Sequence, residues 1–174
     1  MMGLVKLVDG LNGAIRWVLA ACLVGMTLCT LWQVAVRFLL GTFSLNIAAP
    51  WTEEVARYLM IWVIFLGASI ACRKAQLISL DVVVFSLPRK IGVFMRYVSL
   101  VVCLAFFVLM VQLGMEFLEF GAIESSPVLS MSKTWVYAAM PLGFSLMILN
   151  TVALIIETIS RGEDIRFTNG ENVE

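Results

Sequence analysis

Trp51-Thr-Glu-Glu-Val-Ala-Arg-Tyr-Leu-Met-Ile-Trp-Val-Ile-Phe-Leu-Gly-Ala-Ser-Ile-Ala-Cys-Arg-Lys74 reads as a membrane-crossing helix with both of its ends written in. Thr52 is placed as an N-cap, and Glu53 and Glu54 fall in the first turn, where carboxylates offset the positive end of the helix dipole. Arg73 and Lys74 offset the negative end. Tyr58 to Cys72 carries no charge, and with the flanking interfacial residues the segment reaches the roughly 20 residues that about 30 Å of hydrocarbon requires. Arg57 lies four residues after Glu53 and three after Glu54, the spacing that puts opposite charges on one helical face. A Glu53–Arg57 ion pair is therefore expected at this shallow membrane position.

The composition agrees with that reading. The chain has 174 residues, of which 61% are apolar and 14% charged, against about 25% charged in soluble proteins. Its mean hydropathy is +0.99. Net charge is zero and there is no histidine, so a basic surface for nucleic acid has nothing to start from. Cys22, Cys29, Cys72 and Cys103 all fall in apolar segments without a Cys-x-x-Cys spacing, and read as small packing residues.

Outward from the opening stretch, three more uncharged runs complete an all-α integral membrane protein with four transmembrane helices. The spans are expected at about 17–38, 54–73, 92–120 and 134–157, in one domain covering 1–174. Gly41 to Pro50 is a short loop, which makes the first two spans an antiparallel hairpin. Between spans two and three, residues 77–87 are apolar but too short to cross, and predict an interfacial helix ended by Pro88. A strand over Leu80 to Phe85 ranks lower, because an unpaired strand at the bilayer edge leaves backbone groups unsatisfied. Asp81 either pairs with Lys74 or Arg73 or caps a helix starting at Val82. The third helix, counted from Ile91 past Glu116 and Glu119, is too long for the bilayer and must tilt or project into water. Pro141 and Gly143 predict a kink or a loosened first half in the fourth span, and Asn150 and Thr151 are candidate interhelical hydrogen-bond donors. Ala21 with Gly25, and Gly67 with Ala71, have the small-xxx-small spacing that allows close helix approach.

Four spans put both termini and the middle loop on one side. That side holds Lys6, Arg16, Arg73, Lys74, Arg89, Lys90, Arg96, Arg161 and Arg166, whereas the other holds Arg37, Arg57 and Lys133. Nine cations against three predict cytoplasmic termini. Arg73, Lys74, Arg89 and Lys90 are then candidates for contact with anionic lipid headgroups. An internal echo, Gln33-Val-Ala-Val-Arg-Phe-Leu39 and Gln112-Leu-Gly-Met-Glu-Phe-Leu118, places Arg37 and Glu116 at equivalent outer ends of spans one and three, and suggests that they pair.

Without histidine there is no bis-histidine haem, histidine metal cage or Ser-His triad, and no phosphate-binding glycine fingerprint is present. Catalysis is not expected. The functional candidates are Trp51 and the charges near the outer boundary, Glu53, Glu54, Arg57, Glu116, Glu119 and Glu124, as contacts for a partner subunit or a soluble protein. For Glu53, Glu54 and Arg57, helix capping with a local ion pair is the competing explanation. No carboxylate sits at mid-depth of a span, as a self-sufficient proton-coupled carrier would need, which argues for a subunit supporting another protein. A self-assembling small four-helix carrier or channel is the alternative, with Glu116 as its one suitable acid.

Trp51-Thr-Glu-Glu-Val-Ala-Arg-Tyr-Leu59, Phe65-Leu-Gly-Ala68, Ile78-Ser-Leu-Asp81 and Trp135…Pro141-Leu-Gly-Phe144 together resemble the small membrane subunit of tripartite ATP-independent periplasmic (TRAP) transporters, over about residues 15–160. The resemblance implies a multi-pass protein of the bacterial inner membrane with cytoplasmic termini. Its partners would be a large multi-span membrane subunit, a soluble periplasmic substrate-binding protein and membrane lipids. The large subunit would carry substrate and sodium, and this chain, a non-catalytic scaffold, would hold no cofactor. The cargo implied is an organic acid, a carboxylate such as a C4-dicarboxylate or sialic acid. Residue 77, often His in relatives, is Leu here, so no role of that side chain transfers.

Overall fold

A computed structural model describes residues 2–40, 50–74 and 88–161. Among the described residues five α-helices follow in order: α1 (Met2–Ala35), continued by a π-helical turn at Val36–Leu40, α2 (Pro50–Arg73), α3 (Arg89–Ile123), α4 (Thr134–Tyr137) and α5 (Ala139–Arg161). Among the described residues the β-structure is confined to one isolated bridge, Ser125 with Ser132. Four helical segments are long and apolar enough to cross a membrane, with α4 and α5 together forming the fourth. The interfacial helix expected at 77–87, Asp81 with it, lies outside the described residues.

The helices stack in the order α1, α2, α5, α3, with α1 also touching α5. Phe144 of α5 stands at the centre. Its ring meets Phe65 of α2 edge-on at 5.7 Å and packs against Phe106 and Phe107 of α3 at 6.1 and 5.9 Å. Cys72, Phe107 and Met147 are buried beside it, so this cysteine is a core residue. α1 is peripheral: Trp17, Val24, Leu28 and Leu31 are all exposed.

Close helix approach is set by glycines on α3 and α5. A Cβ on Gly143 would lie 2.6 Å from Cβ of Phe65, and one on Gly121 would lie 2.9 Å from the backbone nitrogen of Thr134. Gly25 faces Leu59 on α2, but Gly67 has no neighbour within 4 Å of where its Cβ would be, so the second small-xxx-small pair is not an interface.

α1 is longer than its apolar run predicts. Its 34 residues extend about 51 Å, beginning at Met2 rather than near Trp17. α3, with 35 residues, is likewise longer than the bilayer is thick. The fourth span breaks at Ala138, one turn before Pro141. Proline lacks an N–H and its ring crowds the carbonyl four residues earlier, here Tyr137. Ala138 nonetheless keeps α-region angles, φ −59° and ψ −24°, so the chain is loosened without leaving the helical path.

Candidate functional site

The polar side chains gather at the two ends of the bundle. At the end where α1 begins and α2 and α5 finish, two layers tie these three helices together. In the deeper layer the amide of Asn150 donates to the Ser69 carbonyl at 2.8 Å, and Asn12 and Asn150 exchange amide bonds at 2.6 and 3.1 Å. All three residues are buried. One turn further out, the Arg73 guanidinium donates to Asp9 at 2.9 Å and also to Glu157. Asp9 and Asn12 are three apart, Ser69 and Arg73 four, Asn150 and Glu157 seven, which are the spacings of one helical face. The two layers therefore place the start of α1 and the ends of α2 and α5 on one side of the bundle.

This corrects the reading of Arg73 as a headgroup contact. Its side chain is only 13% exposed, because α1 and α5 bring carboxylates to it from both sides. Lys74 is exposed. Its expected partner Asp81, and the side chains of Arg89 and Lys90, lie outside the described ones. Of the two expected donors on α5, Asn150 is interhelical, whereas Thr151 donates to the Met147 carbonyl of its own helix.

At the opposite end a loop folds over α2. Glu54 is buried and accepts from the Tyr58 hydroxyl at 2.6 Å, the Leu129 amide at 3.1 Å and the Ser126 hydroxyl. The loop closes on itself through Ser126 N–H to the Met131 carbonyl at 2.8 Å and Lys133 N–H to the Glu124 carbonyl at 3.1 Å. Ser130 takes φ 53° at its tip, a left-handed conformation that a short polar side chain tolerates. Glu124 pairs with Lys133 at 3.2 Å and accepts from the Tyr137 hydroxyl at 2.8 Å. The Tyr137 hydroxyl and the Lys133 ammonium hold the Glu124 carboxyl below the usual range, and Glu124 raises Lys133 in return. Between α2 and this loop lies an open cleft of about 400 Å³, walled by Arg57, Tyr58, Ile61, Pro127, Val136 and Tyr137.

Glu53 and Arg57 pair at 3.0 Å on the exposed rim, and Trp51 is exposed beside them. Glu54, a candidate outward contact, is turned inward to hold the loop. Glu116 and Glu119 are exposed on α3. Arg37 is exposed on the π-helical turn after α1 and forms no ion pair with Glu116 among the described residues. The physical reason is the stacking order, in which α2 and α5 lie between α1 and α3.

Sequence reasoning missed Asp9, Asn12 and Ser69, because each lies far along the chain from what it touches. The one available signal was Asn12 itself, an amide five residues before the first uncharged run at Trp17.

Four apolar helices, three of them cross-tied by polar groups and the fourth packed on through Phe106, Phe107, Gly114 and Gly121, define a multi-pass membrane protein. A family model for the DctQ component of tripartite ATP-independent periplasmic transporters matches residues 26–161, and the chain belongs to this family of transporter small permease components. It is 30% identical over 92 residues to the sialic acid TRAP transporter permease protein SiaT of Haemophilus influenzae, covering 52% of this chain and 15% of that one. Identity to the isethionate TRAP transporter permease protein DctMQ of Oleidesulfovibrio alaskensis is 30% over 103 residues, 58% of this chain and 16% of the relative. With the sialic acid TRAP transporter small permease protein SiaQ of Vibrio cholerae it shares 28% over 122 residues, 67% of this chain and 65% of the relative. The chain thus spans less than two thirds of the length of each of these three.

Proposed function

We propose that the chain is the static scaffold subunit of a sodium-driven, binding-protein-dependent secondary transporter that imports organic acids. The observation that carries this reading is where its polar groups go. Asn12, Ser69, Asn150, Asp9, Arg73, Glu157 and Glu54 hold helices and a loop to one another, as suits a wall against which another subunit moves. Membership of the DctQ family supplies the context, and relatives named for sialic acid favour a carboxylate cargo.

On this reading a large multi-span membrane subunit is the principal partner, and it binds substrate and sodium; this chain holds no cofactor. A soluble periplasmic binding protein meets the outer rim at Trp51, Glu53, Glu119 and Glu124. The termini are cytoplasmic and the membrane is the bacterial inner one, in keeping with the nine-to-three distribution of cations. Lys74, Arg89 and Lys90 lie at anionic headgroups on the cytoplasmic face.

The test is extraction of the chain, tagged at its C-terminus, from native membranes in mild detergent. The scaffold reading expects a large polytopic protein to co-purify at one copy per copy. A chain that instead runs alone as a homo-oligomer would favour the small-carrier reading, with Glu116 as its coupling carboxylate.

A further inference from the structure

We infer that the outward face of α3, centred on Gln112 and Glu116, is the surface that docks a transmembrane helix of the large permease subunit, one bearing a cationic side chain in its outer half. The inference rests on the scaffold reading above and adds to it which face carries the contact. Phe94, Val98, Val101, Ala105, Val108, Gln112, Glu116 and Glu119 recur at three- and four-residue spacing along α3, and every one of them is exposed. The opposite side of the same helix is occupied: Gly114 lies against Pro141, and Gly121 against Thr134 and Tyr137.

Those glycine contacts fix depth. The fourth span is uncharged from Thr134 to Ile156, so Lys133 marks its outer edge. Gly114 is level with Pro141, and at 1.5 Å per residue Glu116 then lies about 9 Å inward of Lys133 and Gln112 about 15 Å. Gln112 is thus close to the midplane. Neither side chain makes a hydrogen bond or ion pair with another described residue. An amide and a carboxylate at this depth are costly against lipid, and such groups face protein or water inside membranes.

α1 shows what a lipid-compatible face looks like in the same chain. Between Arg16 and Arg37, long side chains able to reach the two interfaces, its exposed hydroxyls are Thr27 and Thr30, while Gln33 is half-buried about 6 Å along the helix from Arg37 and the exposed Trp17 and Trp32 lie toward the two ends. Both hydroxyls donate to their own helix, at 2.8 and 2.9 Å. α1 therefore presents no charge between its two arginines and no fully exposed amide, while α3 asks for a donor at the depth of Gln112 and a cation at the depth of Glu116. The smooth Val98, Val101, Ala105 and Val108 stretch lets a helix approach closely on the way down.

A photoactivatable benzoyl-phenylalanine placed at Val108 on α3, or at Leu28 on α1, tests the assignment in native membranes. Co-purification of the large subunit with the unsubstituted tagged chain is scored first; its absence would sink the scaffold reading and not this surface in particular. Given co-purification, illumination is expected to join the large subunit to position 108 and not to position 28. Glu116→Gln should lower the recovered large subunit by about 3-fold and Glu116→Lys by about 10-fold or more. The surface is overturned if position 108 yields no adduct with the large subunit, if position 28 yields it instead, or if Glu116→Lys recovers as much partner as the parent chain.

Discussion

The two ends of the bundle carry similar side chains and use them differently. At the Arg73 end, the guanidinium joins carboxylates 64 and 84 residues away in sequence, and Asn12 meets Asn150 across 138. At the Glu54 end, Glu53 with Arg57 and Glu54 with Tyr58 are each four residues apart on one helix, and the long-range element is a loop folded onto a finished helix. The Arg73 end decides which helices touch. The Glu54 end decorates helices already in place.

That contrast is broken first at Arg73. Arg73→Met takes away the cation that Asp9 and Glu157 share, with Glu157 only 21% exposed in its side chain. Removing one partner of a fully buried pair costs about 3–5 kcal/mol; this one is part-buried, so a loss of about 2–3 kcal/mol is expected in the midpoint of unfolding in denaturing detergent. Adding Glu157→Gln to the same chain should recover part of the loss, since the repulsion between the two carboxylates is gone. A double variant no better than the single one would mean that Arg73 acts through packing alone.

Asn150→Leu comes next. It removes the bond to the Ser69 carbonyl and both bonds with Asn12, and interhelical bonds in membranes average about 0.6 kcal/mol with a maximum near 1.7. A loss of about 1–2 kcal/mol is expected in the same unfolding measurement. Arg57→Gln at the Glu54 end provides the contrast: its pair with Glu53 is exposed, 67% and 60%, and exposed i,i+4 pairs are worth about 0.3–0.5 kcal/mol. If Arg57→Gln were to cost as much as Asn150→Leu, the two ends would not differ in the way described.

The same contrast explains what could be read from the chain. The four spans were legible because hydropathy is a local property, and the Glu53–Arg57 pair because it follows from helical spacing. Asn150 stood out as an amide in an apolar run. Asp9 and Asn12 did not, since they precede the first uncharged run and only the continuation of α1 back to Met2 brings them to α2 and α5. Glu54 looked like its neighbour Glu53; nothing local distinguishes the acid that faces solvent from the one that Ser126 and Leu129 cover. Gly114 and Gly121, seven apart on α3, were a usable sign of a packed face that the small-xxx-small spacing did not capture. The Arg37–Glu116 pairing failed because an echo between two spans says nothing about which helices are adjacent.

The smallest effect concerns Glu124. Its carboxyl is held below its ordinary value of 4.5 first by the Tyr137 hydroxyl and then by Lys133, so its grip on Lys133 is present above that value and lost as pH falls through the depressed one. Lys133, raised above 10.5, contributes fully below that value and loses its share only as pH rises through its folded value. The ion pair is thus intact across neutral pH and opens from the acid side. A spin label attached through Val128→Cys, exposed on the loop, should become more mobile as pH drops below about 4.5, with little change in global stability. Glu54 also holds this loop through the Leu129 amide, so the response belongs to Glu124 only if Glu124→Gln makes the label mobile already at pH 7 and flattens its acid titration. An unchanged acid titration in Glu124→Gln would assign the acid opening to Glu54 and reduce the Glu124–Lys133 pair to an exposed contact of no consequence.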